Sequence, residues 1–64
     1  MALYKIQAYN EEMTKLVSEY NKEFKRTEDA LVEAYAKADS EDIVVLWRQS
    51  VIDPKCWRRI AKFY

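Results

Sequence analysis

Apolar positions recur along this chain at alternating steps of three and four, the spacing that lines up one face of an α-helix. Leu3, Ile6, Tyr9, Met13, Leu16, Tyr20 and Phe24 make the first stripe, with polar side chains between them and Glu11 and Lys15 spaced for an i,i+4 ion pair. Leu31, Ala34, Tyr35 and Ala38 make a second. Ile43, Leu46, Trp47 and Val51 make a third, turned by roughly 100° from the second at 3.6 residues per turn. Trp57, Ile60, Ala61 and Tyr64 close the series at i, i+3, i+4, i+7. The pattern predicts an all-α domain of three or four helices spanning residues 1–64. These are residues 2–25, with a break at Asn10 left open, residues 28–51, read as one long helix that buries two different faces, and residues 54–63.

Short polar side chains followed by acids mark where helices should start, because they accept the unpaired amide hydrogens of a first turn and suit its dipole. Asn10-Glu11-Glu12, Thr27-Glu28-Asp29, Ser40-Glu41-Asp42 and Asp53-Pro54 have this form. Proline fits a first helical position and disfavours helical geometry in the residue before it, so a boundary is expected near residue 53.

Composition narrows the chemistry. The 64 residues include no histidine and no glycine, which removes imidazole bases, the commonest zinc ligand and glycine-rich phosphate loops. One cysteine, Cys56, forms no intrachain disulfide and reads as a small buried residue. The longest apolar run, Ile43 to Trp47, is far below the roughly 20 residues of a membrane-spanning helix, and Met1 to Ile6 does not read as a leader. The expectation is a cytoplasmic, non-catalytic protein without cofactor, metal or membrane contact, with Trp47 and Trp57 as core anchors; whether it forms a homodimer stays open.

Charge then separates the two ends of the chain. The formal net charge is zero, but residues 54–64 carry Lys55, Arg58, Arg59 and Lys62 without an acid, and the remainder is acidic. The cations, interleaved with aromatic residues, suit an acidic partner or a nucleic-acid backbone, and residues 43–64 can be laid out as a helix-turn-helix. Asp39, Glu41 and Asp42 form the densest carboxylate group. On a helix, Asp39 would share a face with Ile43 and Leu46, aiming a carboxylate at an apolar stripe, where it is solvated at the rim, paired with an internal cation or reserved for a partner.

The segment Leu31-Val32-Glu33-Ala34-Tyr35-Ala36-Lys37-Ala38-Asp39 resembles a hallmark stretch of the Hha/YmoA family of haemolysin expression modulators. Pro54-Lys55-Cys56-Trp57-Arg58-Arg59-Ile60 resembles that family's terminal motif, with Lys15-Leu16 and Asn21-Lys22 fitting more loosely, so the similarity covers residues 15–60. Where the family continues with basic residues after Ala-Asp, this chain has Ser40, Glu41 and Asp42. The resemblance implies an all-helical, nucleoid-associated modulator of transcription that binds an H-NS-like protein and touches DNA weakly or indirectly. Asp39, Glu41, Asp42, Lys55, Arg58, Arg59 and Lys62 are its expected partner-binding residues. The alternatives are a direct DNA-binding regulator and an inhibitor, of bacterial or phage origin, that occupies a bacterial protein.

Overall fold

In the computed structural model, which describes residues 2–64, strands replace the expected helices everywhere but one segment. Met1, where the segment read against a leader begins, lies outside the described residues. The order is β1 (Ala2–Tyr9), β2 (Leu16–Phe24), α1 (Thr27–Ala38), β3 (Ile43–Gln49) and β4 (Trp57–Phe63). The strands form one antiparallel sheet in the order β2-β1-β3-β4.

Strand alternation explains what each residue of β1 does. Tyr4, Ile6 and Ala8 are buried beneath α1, and Lys5, Gln7 and Tyr9 point the other way. Cross-strand register carries both faces across the sheet, pairing Ile6 with Leu46 and Ala8 with Val44 on the helix side, and Gln7 with Val45 on the other. The core beneath the helix is Tyr4, Ile6, Ala8, Ala30, Ala34, Val44 and Leu46. Ala30 and Ala34 lack bulk beyond Cβ, so the helix backbone can come down close onto β1 and β3. The helix is fastened by polar ties as well. The Tyr4 hydroxyl lies 2.8 Å from Thr27 Oγ1, and Glu33 accepts from the Tyr20 hydroxyl at 2.7 Å and from Lys22 Nζ at 2.8 Å.

The all-α expectation, with helices at 2–25, 28–51 and 54–63, is therefore corrected to a mixed α/β domain. A helix does begin at Thr27, but it ends at Ala38, where the amides of Ser40 and Glu41 and the Ser40 hydroxyl all donate to the Lys37 carbonyl. Beyond that turn comes Ile43-Val44-Val45, a β-branched run that favours a strand. The other presumed helix starts serve as turns. Asn10 Oδ1 accepts the amides of Thr14 and Lys15 to close the β1–β2 turn, where Met13 adopts φ 57°. Between β3 and β4, Asp53 Oδ1 accepts the amide of Lys55, and Ser50, outside the expected starts, accepts those of Ile52 and Asp53.

The likeness to the Hha/YmoA family falls with the helices, since its second motif spans a loop and a strand. The helical-bundle architecture, the H-NS-binding modulator role and the nucleoid association that rested on it are withdrawn, as is a helix-turn-helix in residues 43–64, which form a β-hairpin.

Two predictions follow from this packing. Leu46→Ala should cost about 2–5 kcal/mol, a large part of the stability of so short a chain, whereas Val32→Ala on the exposed side of the helix should change it by less than about 0.5 kcal/mol. Urea denaturation read by tryptophan fluorescence checks both. The Glu33 tie should make stability pH-dependent at both ends. Hydrogen bonds from Lys22 and Tyr20 hold the Glu33 carboxyl below the usual carboxylate range, so its contribution is present above that range and is lost as pH falls from that range through the lowered folded value. Burial, with the Glu33 carboxylate beside it, pushes the Tyr20 hydroxyl up to about 12, so stability should decline between the ordinary tyrosine value of about 10 and that value. Thermal melts across pH should show both limbs, and Glu33→Gln should flatten the acid limb.

Candidate functional site

Since α1 covers one face of the sheet, the other face is where this chain displays a dense set of binding-competent side chains. Lys5, Gln7 and Tyr9 come from β1, Trp47 from β3 and Trp57 from β4, and together they line a hollow of about 260 Å³. Register adds Arg59 opposite Trp47 and Lys62 opposite Val45 to the same face. A bulge in β4 makes this arrangement. Ile60, Ala61 and Phe63 all pack against the helix-side core, leaving Trp57, Arg59 and Lys62 on the open side.

Gln7 organises the hollow. Its Oε1 accepts from Trp47 Nε1 at 2.6 Å and from the Tyr9 hydroxyl at 3.0 Å, while its Nε2 donates to Glu19 Oε1 at 2.6 Å. One amide thus fixes an indole and a phenol across two strands. Lys5 Nζ lies 4.3 Å from the centre of the Trp57 ring, within range of a cation–π contact. Among the described residues, Lys5, Arg59 and Lys62 have no carboxylate at ion-pair distance. Glu19 and Glu23 face the same side from β2, so the face runs from acidic at that edge to basic at β4.

The seven residues expected from sequence do not converge. Asp39 caps α1 and is exposed at the turn, with Glu41 and Asp42 just beyond it. Its helical alignment with Ile43 and Leu46 does not exist, because the chain leaves the helix before reaching them. Asp39 and Lys62 do line a common hollow of about 380 Å³ with Tyr35, Ala38, Phe63 and Tyr64. Lys55 lies in the β3–β4 loop and Arg58 on the helix side of β4, away from that acidic turn. Trp47 and Trp57 are only partly buried and lie outside the core, and Cys56 is exposed with its thiol 3.4 Å from Asp53 Oδ2, correcting both readings. Among the described residues, no three carboxylate or thiol groups converge to hold a metal ion.

Sequence reasoning missed Lys5, Gln7 and Tyr9. Their signal was a period of two, Lys5-Gln7-Tyr9 interleaved with Tyr4-Ile6-Ala8, obscured because both sets contain apolar or aromatic members. No family model, curated protein or solved structure matches the chain. Likewise, no helix among the described residues is long and apolar enough to cross a membrane.

Gln7→Ala should release Trp47, leave its indole N–H unpaired and cost about 1–3 kcal/mol. Acrylamide quenching of Trp47 fluorescence, measured in a Trp57→Phe background, should rise. Unchanged quenching and stability would show that the amide does not hold the ring.

Proposed function

We propose that this chain is a binding module whose helix-free sheet face takes single-stranded nucleic acid. The observation that carries the reading is the grouping of Trp47, Trp57 and Tyr9 with Lys5, Arg59 and Lys62 on one side of an antiparallel sheet. Aromatic rings offer stacking surfaces to unpaired bases, and nearby cations without acidic partners suit the phosphates between them. Bases held in a duplex are stacked on one another and offer no free face to these rings. The direction of charge adds a polarity: Glu19 and Glu23 repel a polyanion from β2, so the strand should follow the β3–β4 side. Lys5 would leave the Trp57 ring for a phosphate as a base takes its place.

Titration with a homopolymeric oligonucleotide, followed by tryptophan fluorescence, tests this. Stacking should quench emission, and Trp47→Ala or Trp57→Ala should each weaken binding by about 1–3 kcal/mol. Arg59→Gln and Lys62→Gln should reduce affinity and flatten its dependence on salt. Duplex DNA bound as tightly as single strands, or tryptophan variants that bind normally, would overturn the reading.

A further inference from the structure

The β3–β4 loop, Ser50 to Cys56, holds two apolar side chains out of the protein. Val51 is 85% exposed and Ile52 is 92% exposed. A flexible loop could fold such residues back, but this one is braced. Ser50 N–H donates to the Cys56 carbonyl at 2.9 Å and Cys56 N–H to the Asp53 carbonyl at 2.9 Å. Ser50 Oγ accepts the amides of Ile52 and Asp53, and Asp53 Oδ1 accepts that of Lys55. Gln49 Nε2 caps the Pro54 carbonyl at 2.9 Å, and Pro54 has no amide hydrogen to satisfy. Five of the loop's six amide hydrogens, all but that of Val51, are thus paired inside the loop, which holds its shape while the two apolar side chains point outward.

Cations surround this tip. Arg48 and Arg58 lie directly opposite one another on adjacent strands and, with Gln49, Ser50 and Val51, line a hollow of about 260 Å³. Like charges in that relation repel, and neither arginine has a carboxylate at ion-pair distance among the described residues. Lys55 adds a third positive charge within the loop. Its acid, Asp53, is occupied by the Lys55 amide and the Cys56 thiol.

We propose that this end of the molecule docks on an anionic lipid bilayer, with Val51 and Ile52 entering the boundary between headgroups and acyl chains and Arg48, Lys55 and Arg58 meeting lipid phosphates. A bilayer surface presents anions and an apolar phase in adjacent layers, and the tip presents cations and apolar side chains in the matching order. A nucleic acid accounts for the arginines but leaves the aliphatic pair in water. The contact is peripheral, so the absence of a long apolar segment in the sequence does not bear on it. It is also independent of the nucleic-acid reading, which uses the other face of the sheet.

Flotation of the full chain with vesicles tests the proposal, using phosphatidylcholine alone and phosphatidylcholine mixed with phosphatidylglycerol. Binding is expected on the mixed vesicles, weakened by salt, and little on phosphatidylcholine. Arg48→Gln and Arg58→Gln should each lower the partition coefficient about fivefold. Val51→Ser with Ile52→Ser should lower it at least about tenfold while leaving the melting temperature and oligonucleotide affinity unchanged. The proposal is overturned by a serine double variant that floats like the parent, by equal binding to both vesicle types, or by no binding to the mixed vesicles at low salt. It is equally overturned if the arginine variants lose oligonucleotide affinity while vesicle binding is unaffected.

Discussion

The fold depends on the burial of a single strand from both sides. Ile43, Val44, Val45 and Leu46 are consecutive and all buried, yet one 12-residue helix can cover only one face of the sheet. Val44 and Leu46 are sheltered by α1, and Ile43 and Val45 belong to the opposite face. The long and aromatic side chains around Val45 must therefore exclude water there, although they stand outside the helix-side core. The candidate binding face thus shares residues with the cover over Val45. Gln7 shows the coupling most directly, since the amide that positions Trp47 also lies across from Val45 in the register.

This sharing explains why the sequence read as helical. A sheet solvated on one side alternates apolar and polar residues, but here both sides carry apolar or aromatic groups, so period two was blurred. In the first strand Leu3, Ile6 and Tyr9 come from different faces, yet their spacing imitates one helical stripe. In β4 the bulge turns Ile60 and Ala61 toward the same side, generating from a strand the three-and-four spacing that follows Trp57. Turn signals were hidden too, because a chain without glycine closes its hairpins with Asn10, Ser50 and Asp53. Asparagine, serine and aspartate accept amide hydrogens in a hairpin just as they do at a helix start.

Other features could be read from the sequence. The start of α1 falls at Thr27-Glu28-Asp29 as the acids suggest, but Thr27 does not cap it: Arg26 holds the cap position without a side-chain hydrogen bond, and the Thr27 hydroxyl meets Tyr4 instead. The cations of the last eleven residues end on one strand and its loop. What composition could not tell was direction: Arg58 and Arg59 are neighbours in sequence but face opposite sides of the sheet. The family-like string Leu31 to Asp39 coincides with the one real helix, which accounts for its helical character without any wider relationship.

The bulge in β4 has a counterpart in β2, where the register with β1 slips between Ala8 and Tyr9. Both outer strands of the sheet are thus irregular, and the β4 margin also carries Arg58, Arg59 and Lys62. A second molecule seeking to extend the sheet would meet a kinked template and, at β4, its own positive charge. Growth into stacked, fibrous assemblies is opposed by the same local distortion that sorts the side chains of β4 between its two faces.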